Sequence, residues 1–252
     1  MLLTAQNISK SFGGLKALQE ISFGIEPGQI FGLIGPNGAG KTTLFNCLTG
    51  TYKNDSGRFI FKDADITGSS EVRIARSGIS RTFQNIRLFK EMTVWENVMV
   101  GGHGLGRAGL WNAIVRNRKT KREETEICQN AMRHLDFVEL SGAADRLAKN
   151  LPYGHQRRLE IARALAAEPS LLCLDEPAAG MNPSEVSGLM ALIRKIRDTG
   201  VTVLLIEHHM KVVMGICDRI LVLDGGVKIA EGIPPEVRCN QKVIEAYLGR
   251  QG

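Results

Sequence analysis

Gly35-Pro36-Asn37-Gly38-Ala39-Gly40-Lys41-Thr42-Thr43 satisfies the pattern G-x-x-x-x-G-K-[ST] in full, and it constrains this chain more than any other feature. The apolar run Ile30-Phe31-Gly32-Leu33-Ile34 before it reads as a buried strand, and Thr42 to Gly50 after it reads as a helix with Gly50 as the residue past its end. A strand, a glycine-rich turn and a helix in that order aim successive backbone N–H groups at an anion, and the N-terminal dipole of the helix adds to their pull. Lys41 would bring a full charge to the β and γ oxygens of a polyphosphate, and Thr42 would offer its hydroxyl to a divalent cation. A turn that bound nothing has no use for a lysine in such a place.

A second element gives the cradle a chemistry. Leu171-Leu172-Cys173-Leu174-Asp175-Glu176 is an apolar strand ending in two acids, which places both carboxylates at the C-terminal edge of a sheet, beside the cradle. There Asp175 can hold a Mg²⁺ ion through water, and Glu176 can polarise a water in line with a γ-phosphate. Alone, an acidic strand end is more often a turn or a helix cap; its weight comes from the pairing with the glycine loop.

The remaining pattern places these motifs in an α/β fold. Residues 1 to about 66 read as strands and turns interrupted by one helix, and residues 71–168 read as helical. In that stretch Ile127, Ala131, Leu135 and Val138 form one stripe, and Leu159, Ala162 and Leu165 another before Pro169. After it, Leu171 to Leu174, Val201 to Ile206 and Ile220 to Leu223 are continuous apolar strands separated by helices at about 183–198 and 209–216, which predicts a mostly parallel sheet. The glycine- and arginine-bearing stretch from Gly101 to Lys121 has no core face and reads as a solvated connector or a contact surface.

Composition narrows the classes further. The 252 residues carry a formal charge of +6, too weak a basic balance for nucleic acid without an aromatic-interleaved basic stripe. The apolar runs are short of the ~20 residues a bilayer span needs, and the first residues lack a signal-like basic and apolar sequence, so a cytosolic location is expected. Cys47, Cys128, Cys173, Cys217 and Cys239 form no CxxC pair, and the five histidines make no ligand spacing; the cysteines read as small buried apolar residues. Asp65-Ile66-Thr67-Gly68 fits a guanine-nucleotide D-x-x-G, but no N-K-x-D follows, so it reads as a turn.

Leu151-Pro152-Tyr153-Gly154-His155-Gln156-Arg157-Arg158-Leu159-Glu160-Ile161-Ala162-Arg163-Ala164-Leu165, just before the acid-ended strand, resembles the signature segment of ATP-binding cassette (ABC) ATPases. Phe12 resembles the aromatic residue that stacks on adenine, Gln84 in Arg81-Thr82-Phe83-Gln84 resembles the Q-loop glutamine, and His208 in Ile206-Glu207-His208 resembles the switch histidine. Singly each is better read as an ordinary strand-end aromatic, surface amide or core histidine; their shared order is what coincidence does not explain. Within the family, Glu176-Pro177-Ala178-Ala179-Gly180-Met181-Asn182-Pro183, Ile229-Ala230-Glu231-Gly232 and Ala246-Tyr247-Leu248-Gly249 are most similar to the branched-chain amino acid transport cassettes, and the likeness covers nearly all 252 residues.

The resemblance implies one cassette domain over residues 1–252: a mostly parallel core sheet, an antiparallel β subdomain, and an α-helical signature subdomain inserted at about 85–165. It implies ATP and Mg²⁺ as cofactors, with Thr42, Gln84 and Asp175 near the metal. Glu176, His208 and Gln84 would serve hydrolysis, and Tyr153, Gly154 and His155 would cap the nucleotide of a second cassette, a different chain or a copy of this one. Two permease subunits, and indirectly a substrate-binding protein, complete the implied complex at the cytoplasmic face of the membrane. Related readings are a urea or amide importer, a lipopolysaccharide exporter, or a soluble cassette ATPase. Pro152, Tyr153 and His155 depart from the common L-S-G-G-Q signature, Asn182 stands where Asp is common, and His209 replaces an acid.

Overall fold

The computed structural model describes residues 1–103 and 118–248 and divides into two compact units, Met1–Arg81 with Ser170–Gly252 and Thr82–Pro169. In the first unit β1 (Leu3–Phe12) and β2 (Leu15–Ile25) form a long antiparallel hairpin, with Leu3 opposite Ile25 and Phe12 opposite Leu15. β4 (Ser56–Phe61) pairs antiparallel with β1 and carries the two-residue β5 (Ala64–Asp65), giving the order β2-β1-β4-β5. Asp65 accepts a 2.8 Å bond from the Thr67 N–H, and the chain turns at Gly68 with φ 62°, so D-x-x-G is a turn here.

The second sheet has the order β10-β9-β3-β8-β7-β6. β3 (Ile30–Ile34), β7 (Leu171–Asp175) and β8 (Thr202–Ile206) are buried at every residue, which is why they read as unbroken apolar runs rather than alternating ones. β3 lies parallel between β8 and β9 (Arg219–Asp224), and β10 (Val227–Gly232) closes the edge antiparallel. Leu33 and Asp175 both register with Ile206, so the C-terminal ends of β3, β8 and β7 are level. Buried Leu3, Ile8, Ile21, Phe45, Phe59 and Phe61 join Leu171, Leu221 and Leu223 in one core, with Phe23 stacked on Phe31 at 5.6 Å between ring centroids.

One strand differs from the sequence expectation. Residues 79–81, read as part of a helical region, form β6 (Ile79–Arg81), parallel to β7 at the sheet edge. Three residues carry no detectable period; the pairing to β7 decides their conformation, and Gly78 with φ 102° ends the preceding helix α2 (Glu71–Ser77).

Helix α1 (Lys41–Leu48) follows β3. α6 (Pro183–Asp198) starts on a capping box: Asn182 accepts from the Ser184 and Glu185 N–H groups, both at 3.0 Å, and Glu185 accepts from the Asn182 N–H at 2.9 Å. Asn182 is thus a working helix cap in the place where the family often carries Asp. α7 (Met210–Ile216), α8 (Pro234–Arg238) and α9 (Gln241–Leu248) complete this unit, α9 burying Val243.

The second unit packs α3 (Val94–His103), α4 (Arg118–Phe137) and α5 (Tyr153–Leu165). Ala131, Leu135 and Val138 from the expected stripe are buried; the Ile127 side chain and residues 104–117 of the expected connector lie outside the described residues. α5 begins at Tyr153, six residues before Leu159 opens the apolar stripe, because Pro152 sits at its N-cap with φ −55° and leaves the helix free to form behind it. No side chain caps this helix start. A Cβ on Gly101 would strike the Arg163 carbonyl, so α3 approaches α5 backbone to backbone.

Cys47, Cys173 and Cys217 are buried, their thiols pushed by burial up to about 11, 12 and 12; Cys128 is only partly buried and Cys239 is exposed, contrary to the expectation for all five. No helix among the described residues is long and apolar enough to cross a membrane.

Candidate functional site

The loop that leaves β3 is shaped by two glycines with no alternative. A Cβ on Gly35, at φ 150°, would overlap the Leu223 carbonyl oxygen, and one on Gly40, at φ 100°, would lie 2.6 Å from the Ala17 carbonyl oxygen. Gly38, at φ 80°, faces open space. Gly40 is the N-cap of α1, and the Gly226 N–H donates to the Ala39 carbonyl at 3.1 Å, so the β9–β10 turn braces the loop from outside.

Lys41 is 7% exposed, and its Nζ folds back to donate to the Gly35 and Pro36 carbonyls at 2.7 and 2.9 Å. Burial pulls its pKa down, and the negative charges of Glu176 and Asp175 push it up. A buried ammonium held by two carbonyls of the loop, with two acids within electrostatic range, is poised to exchange those weak acceptors for phosphate oxygens. Pro36 and Thr43 are partly exposed, Asn37 and Thr42 are exposed, and Ala39 is buried under the loop.

Asp175 ends β7, buried, and Glu176 follows it with φ 46°, a left-handed conformation uncommon for a side chain of this kind. The Glu176 N–H donates to the Ile206 carbonyl at 2.9 Å, which fixes the turn. His208 Nδ1 lies 3.6 Å from Glu176 Oε1, with the ring half-exposed and the ring of His209 5.5 Å away. The fully buried Glu207 holds this corner together. Its Oε2 accepts from the His208 and His209 N–H groups at 3.1 and 3.2 Å, and its Oε1 from Ala178 N–H at 2.8 Å. One carboxylate therefore ties the backbone after Glu176 to the backbone of His208.

Phe12 is exposed at the end of the β1–β2 hairpin, whose Ala17 borders Gly40. Its ring meets Tyr52 edge-on at 5.3 Å, and Lys10 Nζ stands 5.4 Å from its centroid. The Tyr247 side chain in α9 is exposed, and its phenol accepts from the backbone N–H of Gly35, the first residue of the loop; desolvation raises its pKa more than this bond lowers it.

The other sequence-selected residues belong to the second unit. Gln84 is exposed, and Tyr153, Gly154 and His155 form the first turn of α5, with Gly154 buried between its two exposed neighbours. Structure thus gathers the glycine loop, Asp175, Glu176 and His208 at one edge of the first unit, and sets Gln84 and the α5 N-terminus in the second. The roles of Glu207, Tyr52, Tyr247, Arg157 and Glu160 enter only with the structure; all but Tyr52 stand inside recognisable motifs, which was the available signal.

A strand, a glycine-rich turn with a buried lysine, and a second strand ending in two acids beside a histidine define a P-loop nucleoside triphosphatase of the cassette kind. Comparison with known proteins gives the family. Residues 18–179 match the ABC transporter family, and residues 227–252 match the branched-chain amino acid ATP-binding cassette transporter family. The chain is 47% identical over 249 residues to the high-affinity branched-chain amino acid transport ATP-binding protein LivG of Escherichia coli (strain K12), and 46% identical over 249 residues to BraF of Pseudomonas aeruginosa, with 98% of each chain covered in both cases. Two solved ATP-binding cassettes of ABC transporters, one nucleotide-free and one in the ADP conformation, superpose with a TM-score of 0.86 at 36% identity over 99% of each chain. The chain belongs to the ABC transporter family as one of its ATP-binding ATPase subunits.

Proposed function

We propose that this chain is the ATP-hydrolysing subunit of an importer of branched-chain or closely related amino acids, and that its two units act as one cassette. The observation that carries the ATPase half is the level edge where Lys41, Asp175, Glu176 and His208 meet around a loop with open space at Gly38. The substrate class is supported by LivG and BraF over nearly the whole chain and by the match at residues 227–252.

The buried Lys41 and the glycine loop fit the phosphates of ATP, with Phe12 and Tyr52 offering aromatic surface to the base. Among the described residues no three His, Cys, Asp or Glu side chains cluster as a metal cage. Mg²⁺ takes few protein ligands and fills its octahedron with water and phosphate. Thr42, Asp175 and Gln84 are the groups we assign to it, and it would supply charge neutralisation on the phosphate oxygens. Glu176 orients the attacking water and accepts its proton, while His208, held by Glu207, donates to the γ-phosphate.

Tyr153, Gly154 and His155 present the first-turn N–H groups of α5 to the nucleotide of a second cassette, a different chain or a second copy. Two permease subunits receive the resulting motion and a substrate-binding protein delivers the cargo, with this chain peripheral on the cytoplasmic face of the membrane. No nucleic acid is involved. Mild-detergent purification of the tagged chain from its native membranes tests the assembly: two hydrophobic permeases and a second cassette are expected in the eluate. Recovery with ribosomal or DNA-binding proteins and no permease would overturn it.

A further inference from the structure

Six polar contacts in the second unit converge on two wholly buried charges. Arg157 and Glu160, 0% and 1% exposed, stand on the inward face of α5 with Nη1 2.8 Å from Oε2. Arg157 Nη1 also donates to the Phe83 carbonyl at 2.7 Å, and Nη2 to the Gln84 carbonyl at 2.8 Å. Those oxygens belong to the two peptide groups flanking the Gln84 α-carbon. One planar guanidinium therefore restrains the backbone on both sides of Gln84. Glu160 Oε1 accepts from the Phe83 and Arg87 N–H groups at 3.3 and 3.4 Å, closing the loop around the pair. The Tyr153 hydroxyl, at 3.4 Å, accepts from Nη2 and extends the link to the first residue of the helix.

Stability alone is a poor account of this arrangement. Burying two charges costs desolvation that their attraction only partly returns, and apolar replacements of such pairs are often neutral or stabilising. Arg157 Nε adds to the cost, since it is buried without a hydrogen-bond partner. What an apolar pair cannot supply is a fork that holds two specific carbonyls. The neighbouring Arg158 shows the contrast: it reaches out to the exposed Glu139 at 2.6 Å and holds no loop around Gln84.

We propose that Arg157 and Glu160 are positioning residues that lock the Gln84 backbone to the first two turns of α5, so that Gln84 and the Tyr153–His155 turn are carried as one rigid body. This rests on the roles proposed above for Gln84 and for the α5 N-terminus. The pair then makes the nucleotide sensed at the helix start and the water or metal sensed at Gln84 two readings of one displacement. Tyr153, standing where the common signature has Gly, adds a hydroxyl to that link.

Arg157→Lys tests the proposal in the full chain. Lysine keeps the positive charge beside Glu160, but one ammonium cannot reproduce the fork across two carbonyls. Melting temperature and the KM for ATP are expected to stay near wild type, with kcat lowered by about tenfold, the pattern of a lost transition-state arrangement rather than lost binding. Hydrogen exchange in residues 82–89 is expected to quicken by about tenfold, with β3, β7 and β8 unchanged. Wild-type exchange in residues 82–89 would overturn the clamp, and quickened exchange with wild-type kcat would overturn its link to turnover. Should Arg157→Lys not fold, Glu160→Gln, which still accepts from both amides but loses the charge, is expected to move both readouts in the same direction by about threefold; no movement in either would overturn the proposal. A wild-type chain inert towards ATP even in the assembly with its second cassette would remove the proposed function instead, and the exchange comparison, which needs no nucleotide, would still decide the clamp.

Discussion

Glu176→Gln is expected to lower ATP turnover by roughly 10²–10⁴-fold, the usual contribution of a positioned general base, while nucleotide binding persists. The amide is nearly isosteric, so the left-handed turn at φ 46° and the N–H bond to the Ile206 carbonyl are retained. Removing one negative charge near the buried Lys41 and the phosphates strengthens ATP binding if it changes it at all, and the ATP-bound state accumulates. Single-turnover kinetics with labelled ATP reads both effects. Turnover within about threefold of wild type would deny Glu176 the part of base, since no such change follows from losing one.

The second large effect is expected at the opposite side of the same site. Lys41→Ala removes the only full positive charge that the loop itself carries, and a hydrogen bond to a charged group contributes about 1.5–3 kcal/mol. That corresponds to about 10- to 150-fold weaker ATP binding. ADP binding should weaken less, because the γ oxygens are no longer part of the difference. Isothermal calorimetry with ATP and ADP separates the two, and unchanged ATP affinity would count against the cradle.

The parts of this molecule that depend on local pattern are the parts a reader of the sequence recovers. The glycine loop between β3 and α1 needs particular residues at particular spacings, and the fully buried strands β3, β7 and β8 announce themselves as apolar runs bounded by turns. The acid-ended β7 gained its meaning only beside the loop, and the level register of Leu33, Ile206 and Asp175 bears on that pairing directly. β6 carries no sequence signal because its partner β7 lies 92 residues further along the chain, Ile79 opposite Leu171, and nothing within Ile79–Arg81 signals a strand.

Charged residues were the hardest to place. Arg157 and Arg158 are adjacent and chemically identical, yet one is wholly buried across the Phe83 and Gln84 carbonyls and the other pairs with an exposed acid. The stripe Leu159, Ala162 and Leu165 marks one face of α5, but Gly154, Arg157, Ile161 and Ala164 are buried on another, and only tertiary packing covers that second face. Glu207 looks like a strand-end acid in sequence; in the fold it is the carboxylate that joins the Glu176 turn to His208. Tyr52 meets Phe12, and Tyr247 meets the first residue of the glycine loop, through tertiary packing that leaves no periodic trace.

The most direct measurement is uptake of labelled leucine by proteoliposomes holding the co-purified assembly and its binding protein, with ATP enclosed on the cassette side. ATP-dependent accumulation with the wild-type chain, lost with Glu176→Gln, is the predicted result. An assembly that hydrolyses ATP yet accumulates no branched-chain amino acid, or one in which Glu176→Gln transports as well as wild type, would contradict the account.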